Sequence, residues 1–390
     1  MQTSLATADT NLKTWDIFCR VVDNYGDIGV CWRLARQLAD EHQLSVRLWV
    51  DEIAALKQIW PETKLTSTQM LAKVQVCIWQ EDFHTEQVAE VVIEAFACHL
   101  PENYIAQMKQ AAKAPCWINL EYLSAESWVE GCHQLTSMHP QNGLKKTFFF
   151  PGFNQQTGGL LRESNLLAQR DKLLLKEARS VFLTQLGVSE NLDNALIISL
   201  FSYENQAIAS LITTWSQALN PIICLVPASK ALASVNAALN LNFVSGGHHT
   251  IGSLQLKVIP FLNQMDYDRL LWACDINFVR GEDSFVRAQW AARPFVWHIY
   301  PQDEAAHLIK LNAFLDKYTH TMEPALAAAI NQLWNCWNWG ENCSDPWNQL
   351  MEQLQNWRQY NQHWHKHLSA MPDLATNLVC FAQKKPVEIR

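Results

Sequence analysis

No apolar run approaches the ~18 residues that would mark a membrane span, so nothing in this 390-residue chain reads as membrane-inserted. No stretch is rich in lysine or arginine. With 30 Lys+Arg against 38 Asp+Glu the formal net charge is −8, which makes nucleic acid a poor partner. The 11 cysteines are odd in number and show neither a CxxC pair nor zinc-like spacing. With no secretory leader in view they read as reduced, mostly buried thiols of a cytoplasmic protein. The adjacent His248 and His249 lack a third ligand at useful spacing and read as loop residues, so no metal site is expected. The GxGxxG fingerprint is also missing. DNYGDIG at 23–29 carries two glycines at another spacing, which argues against a dehydrogenase. No internal repeat or low-complexity segment stands out.

What is present is apolar and aromatic. The 49% of hydrophobic residues suffices for large cores, and the length suits two or three domains. The 17 tryptophans are many. Most should be core, with some left to form a flat face for a partner.

Residues 1–12 are polar and expected to be disordered. Trp15 to Val22 reads as the first strand, followed by the 23–29 loop. A helix with Cys31, Leu34, Ala35 and Leu38 at i, i+3, i+4, i+7 comes next, with Asp27 as a candidate N-cap. Leu44–Val50, Val74–Trp79 and Cys116–Leu120 are further strands, and Val91–Ala97 fits a strand or a helix. This β-α alternation predicts a parallel sheet covered on both faces. After FFFPGF at 148–153, residues 150–169 close the first domain, and Arg170–Leu186 reads as a helix ended by Gly187. A second series follows: strand Ala195–Phe201, helix Ile208–Ala218, strands Pro221–Val226 and Leu254–Ile259, and helix Met265–Cys274. Leu308–Tyr318, Pro324–Trp337 and Pro346–Leu368 predict three tail helices.

The segment 278–307 carries the densest signal. Ile276–Val279 is a short strand, RGED at 280–283 a turn, and Ser284 a candidate N-cap of an apolar helix that Arg293-Pro294 ends. A helix N-terminus at the C-terminal end of a strand binds anions through free N–H groups and the helix dipole. Glu282 and Asp283 would repel a diphosphate, so they suit hydroxyls instead. Phosphates and hydroxyls together suggest a nucleotide sugar, against the plainer reading of a capped β-α turn. Two successive α/β sheets with a helical tail fit the GT-B glycosyltransferase fold, two Rossmann-like domains facing across a cleft. The expected division is 13–169 for the acceptor domain and 187–364 for the donor nucleotide-sugar domain. A C-terminal helix of about 365–390 is expected to pack back on the first.

Residues 15–35 (WDIFCRVVDNYGDIGVCWRLA) and 281–297 (GEDSFVRAQWAARPFVW) resemble the bacterial protein-arginine rhamnosyltransferases that modify elongation factor P. TGGLLRE (157–163), SLFSYEN (199–205) and PFLNQMDYDRLLWACD (260–275) are similar to the same family, in the same order. The resemblance spans about 15–310 and weakens in the Trp-rich tail. One departure is Tyr25, where the family often carries phenylalanine. The resemblance implies inverting transfer of L-rhamnose from dTDP-β-L-rhamnose to an arginine of a folded protein acceptor, without a metal or other cofactor. It places the donor against Phe201, Phe261 and Gln264, with Glu282, Asp283 and Ser284 nearby, and makes Asp23 and Asp27 acceptor-side carboxylates.

An arginine is a poor nucleophile, since its pKa exceeds about 12 and its lone pairs are delocalised. The gap to a carboxylate's pKa corresponds to about 12 kcal/mol, so proton loss must accompany C–N bond formation. Two carboxylates on one loop suit this task, one holding the guanidinium plane and one accepting the proton late. Asp23 is the candidate base, with Asp27 positioning or supporting it; the plainer readings are a turn residue and an N-cap. Asn24, Tyr25, Gly26 and Gly29 complete the acceptor loop, the glycines permitting close approach or positive φ. On the donor side Arg280, Ser284 and the N–H groups of Ser284 and Phe285 can stabilise the leaving diphosphate. Phe201 and Phe261 are candidate thymine stackers, Tyr203 and Tyr267 hydrogen-bonders, and Gln264 a reader of the thymine edge. Glu121 is a weaker acceptor-side candidate. A GT-B enzyme with a small-molecule or lipid acceptor, or a non-catalytic nucleotide-sugar-binding module, remains the alternative; paired carboxylates speak against the latter.

Overall fold

The computed structural model describes residues 13–22, 25–80, 85, 87–140, 143–188, 194–302 and 306–384. Asp23, Asn24 and the expected disordered start at 1–12 lie outside the described residues.

Eight strands build the first sheet: β1 (Thr14–Cys19), β2 (Ser45–Val50), β3 (Thr68–Leu71), β4 (Val74–Ile78), β5 (Val91–Ala95), β6 (Cys116–Leu120), β7 (Thr136–Met138) and β8 (Lys145–Phe149). Their order is β3-β4-β2-β1-β5-β6-β8-β7. Six build the second: β9 (Leu196–Leu200), β10 (Ile222–Pro227), β11 (His248–Ile251), β12 (Leu254–Ile259), β13 (Ile276–Arg280) and β14 (Phe295–His298), in the order β11-β12-β10-β9-β13-β14. The central pairs are parallel, while the hairpins β3–β4, β7–β8 and β11–β12 are antiparallel. Central strands such as β5, β6, β10 and β13 are buried along their whole length, as sheets covered on both faces require. His248 and His249 thus belong to an edge strand, not to a loop.

In each sheet the chain reverses its winding beside the first strand, between β1 and β5 and between β9 and β13. Open α/β sheets form their crevices at such switch points. The loop after β1 and the turn after β13 both lie there, on different domains, and the two helices that follow, Gly26–Glu41 and Asp283–Ala291, face each other.

Several expected elements divide differently. The Arg170–Leu186 helix is two helices, Leu166–Leu173 and Lys176–Gln185, because Leu175 is extended. The strand expected to reach Ala97 stops at Ala95, where Phe96 and Ala97 turn into left-handed conformations. Among the described residues the tail forms five helices: Ala306–Thr319, Pro324–Trp339, Ser344–Glu352, Leu354–Ser369 and Leu374–Lys384. Its tryptophans are mostly core: Trp334, Trp337, Trp347 and Trp357 pack with Phe278, Phe295 and Phe314 under the second sheet. The last helix crosses back, and Leu374, Ala375, Leu378, Val379 and Ala382 enter the core of the first sheet. Gly159, at φ +77, permits that return: a Cβ there would lie 2.6 Å from the carbonyl oxygen of Pro372.

Candidate active site

Two cavities open between the domains. The first is lined by Tyr25, Gly26 and Ile59 from the first domain and by Phe201, Phe261, Gln264, Tyr267, Arg280, Gly281, Asp283 and Ser284 from the second. The second is lined by Gly26, Asp27, Phe96, Tyr122, Gly281, Glu282, Tyr300, His307 and Lys310, among others. Gly26 and Gly281 line both, so the cavities meet where the loop after β1 approaches the turn after β13.

The first cavity is aromatic with unsatisfied polar atoms. Phe261 packs against Tyr25 across the cleft at 5.1 Å between ring centroids. Phe201 packs against Tyr267 at 5.2 Å. The Arg280 guanidinium lies over Phe201 at 4.5 Å and over Tyr203 at 4.9 Å. Arg280 is buried, and its Nη1 has no hydrogen-bond partner; neither does the Oε1 of buried Gln264. Buried polar atoms are seldom left unpaired, so a polar ligand is the natural complement of these two. The helix Asp283–Ala291 starts two residues earlier than expected. Glu282 stands at the N-cap position, and Ser284 lies inside the first turn. The Ser284 hydroxyl does not cap: it donates to the carbonyl of Arg280 and accepts from the Arg280 N–H at 3.0 Å, fixing the turn. The first-turn N–H groups keep no partner within the helix. Tyr203 does not line the cavity but backs Arg280, and the Phe285 ring stacks on Trp297 at 3.9 Å, toward the second cavity.

The second cavity carries carboxylates. Asp27 is buried and sits in the first turn of Gly26–Glu41, whose N-cap is Tyr25, so the expected N-cap role is not the one observed. Its Oδ2 accepts from the Val22 N–H at 2.8 Å, and its Oδ1 accepts from the Tyr122 hydroxyl at 3.0 Å. Tyr122 stacks on Phe96 at 4.4 Å. Glu282 accepts from the Leu123 N–H at 2.9 Å. Burial pushes the Glu282 carboxyl up to about 7, against the pull of Lys310 and of that N–H. Burial likewise lowers the pKa of Lys310, with Glu282, Glu126 and Glu121 opposing. Glu121, raised by burial, bonds Asn119 and lines neither cavity. Among the described residues no group of three His, Cys, Asp or Glu could hold a metal ion, and no helix is long and apolar enough to cross a membrane.

Sequence reasoning missed an ionic cluster that joins the domains. Arg33 forks onto Asp268 with 3.0 Å bonds to each oxygen, and its Nε donates to Asp283 Oδ1 at 2.8 Å. Arg287 bonds the same Asp268 at 2.7 and 2.9 Å and Glu163 at 2.7 Å. Burial would raise the Glu163 carboxyl, but Arg287 and Arg33 bring it down to about 2. Gln264 Nε2 donates to the Gly29 carbonyl at 3.0 Å, and a Cβ on Gly29 would lie 3.2 Å from that nitrogen. Gly29 therefore serves close approach. The available signal was a pair of arginines, Arg33 and Arg287, within otherwise apolar helical stretches.

The family described as "Elongation-Factor P (EF-P) rhamnosyltransferase EarP" matches residues 15–383. Proteins named protein-arginine rhamnosyltransferase are similar to this chain: that of Pseudomonas putida is 49% identical over 94% of this chain and 98% of its own length. That of Pseudomonas aeruginosa is 47% identical over 95% and 99%, and one from Neisseria meningitidis is 37% identical over 94% and 96%. A solved structure described as the "Structural basis for EarP-mediated arginine glycosylation of translation elongation factor EF-P" aligns with a TM-score of 0.67 at 35% identity, covering 96% of this chain and 99% of that one. A UDP-glucosyltransferase from Polygonum tinctorium aligns with a TM-score of 0.54 at 8% identity, covering 96% and 99%, and shares the GT-B fold. The chain belongs to the elongation factor P rhamnosyltransferase family, EarP, and is an enzyme of the protein-arginine rhamnosyltransferase class.

Proposed function

We propose that this enzyme moves L-rhamnose from dTDP-β-L-rhamnose to an arginine side chain of translation elongation factor P, with inversion, in the cytoplasm and without a metal. The observation that carries the reading is the meeting of two unlike cavities at Gly26 and Gly281. One offers aromatic rings, a buried cation and a helix N-terminus, the chemistry that suits a nucleoside diphosphate. The other offers Asp27, Glu282 and an aromatic wall, the chemistry that suits a guanidinium. The protein acceptor follows from what the relatives are named for.

In this reading Phe261 stacks on thymine. Phe201 supports Arg280, which faces the diphosphate together with the N–H groups of Ser284 and Phe285 and stabilises the leaving charge. Gln264 meets the thymine edge, and Asp283 a donor hydroxyl. Asp27 has both oxygens engaged, by the Val22 N–H and the Tyr122 hydroxyl, which supports reading it as the positioning carboxylate. Asp23 is then the base that takes the proton as the nitrogen attacks. Glu282, expected beside the donor hydroxyls, lines the second cavity with Asp27, and in this reading it ionises against the incoming cation.

The test incubates the purified enzyme with elongation factor P and dTDP-β-L-rhamnose and maps the acceptor by mass spectrometry. One deoxyhexosyl group on one arginine, with release of dTDP, is expected. An unmodified acceptor, or transfer from UDP- or GDP-sugars instead, would refute the assignment.

A further inference from the structure

Asp283 opens the helix at the donor turn, where a carboxylate is a hazard. It is the acidic residue of the first turn, whose N–H groups a diphosphate needs. Unpaired, its charge would repel a diphosphate drawn to the same helix terminus. Arg33 prevents this from the other domain. One guanidinium spends two nitrogens on Asp268, and its third, Nε, on Asp283 Oδ1 at 2.8 Å. Asp268 is in turn fixed by Arg287. Asp283 Oδ2 is left 3.4 Å from Gln264 Nε2, at the cavity wall. Arg33 itself is buried and lines neither cavity.

We propose that Arg33 of the first domain is a positioning residue of the donor site: by bridging Asp268 and Asp283 it turns the Asp283 carboxylate away from the helix N-terminus and toward a donor hydroxyl. Donor affinity then depends on a residue that does not touch the donor, and the nucleotide site is complete while the two domains are in contact. This rests on the reading of the first cavity as the donor site. Lysine cannot replace Arg33, because one ammonium lacks the planar fork that serves two carboxylates at once.

The experiment is a cycle of Arg33→Lys and Asp283→Asn in the full-length enzyme, read by calorimetry with dTDP-β-L-rhamnose and by donor KM against kcat. Arg33→Lys should weaken donor binding about tenfold, the scale of one charge-assisted hydrogen bond, with kcat at saturating donor little changed. Asp283→Asn should weaken it similarly, and the double variant should be no worse than Asp283→Asn alone, since Arg33 acts through Asp283. Glu163→Gln alters the same cluster away from Asp283; it should lower the melting temperature and leave donor affinity as it was. Unchanged donor affinity in Arg33→Lys, or losses that multiply in the double variant, overturns the proposal. If Arg33→Lys does not fold, Arg33→Gln takes its place, and failure of both to fold makes the cluster a structural clamp and overturns it as well. Failure of the unaltered enzyme to bind dTDP-β-L-rhamnose would instead overturn the donor assignment.

Discussion

Glu282 ties the pH dependence of the reaction to one side chain. Burial lifts its carboxyl to about 7. With that value, about nine-tenths is ionised at pH 8 and about one-tenth at pH 6. If the ionised form receives the acceptor arginine, kcat/KM for elongation factor P should fall about tenfold between pH 8 and pH 6 at saturating donor. Glu282→Gln should lose that acid limb and run at a low, flat rate. The assay is initial rate against acceptor concentration across that range. A wild-type profile that stays flat down to pH 6 would remove Glu282 from acceptor binding.

The same group has a stability signature of opposite direction. An unfolded glutamate titrates near 4.3, so between that value and about 7 the folded protein holds a proton that the unfolded chain has lost. The folded state is favoured by this proton at low pH, and the advantage disappears as pH rises through the window, by about 4 kcal/mol in all. Glu282→Gln has no such proton to lose. Measured by denaturant unfolding, it should therefore be more stable relative to wild type at pH 8 than at pH 5. Lys310, whose charge Glu282 supports, works against this difference. Repeating the comparison in a Lys310→Met background removes that contribution. A wild-type-to-variant difference independent of pH in both backgrounds would contradict the raised carboxyl.

Phe261→Ala should weaken dTDP binding by about 1–3 kcal/mol, the scale of a base–aromatic stack; wild-type affinity by calorimetry would rule the stack out. Activity should survive EDTA, and a loss reversed by magnesium or manganese would demand a different donor site. Asp23→Asn should lower turnover at least about 10²-fold while dTDP affinity holds; turnover above roughly a tenth of wild type passes the base role to Asp27.

The fold was legible where physics acts along the chain. Runs such as LIISL at 196–200 and IICLVP at 222–227 are apolar without alternation, as buried parallel strands must be. Both loops of the site could be read because each follows such a strand and opens a helix. Short edge strands were not legible: β3, β7 and β11 have three or four residues, are largely exposed, and owe their pairing to a neighbour. The tail was read as three helices because Gln353, where Ser344–Glu352 gives way to Leu354–Ser369, carries no breaker residue. Ser284 looked like a cap because residue type signals capping, while its hydroxyl in fact bonds back to the Arg280 backbone from inside the first turn. Arg33 was hidden for a different reason. A charge in a helix reads as solvated, and its partners Asp283, Asp268 and Glu163 lie 250, 235 and 130 positions away.

That hidden cluster changes how the cleft should be understood. The seam between the cavities gathers Asp27, Glu282 and Asp283, three carboxylates within two loops. Repulsion among them has to be relieved, and each is relieved differently. Asp27 accepts two hydrogen bonds from its own domain. Asp283 is paired with Arg33 from the opposite domain. Glu282, with one N–H and a half-buried lysine nearby, is left to hold its proton near neutral pH. In the proposed reading, a diphosphate in one cavity and a guanidinium in the other alter the field at this seam in opposite senses. The anion favours the protonated form of Glu282, and the cation favours the ionised form. Asp27 is thus held by two donors and Asp283 by an arginine, while Glu282, held by a single N–H, is the carboxylate whose proton follows the charge of whichever substrate arrives.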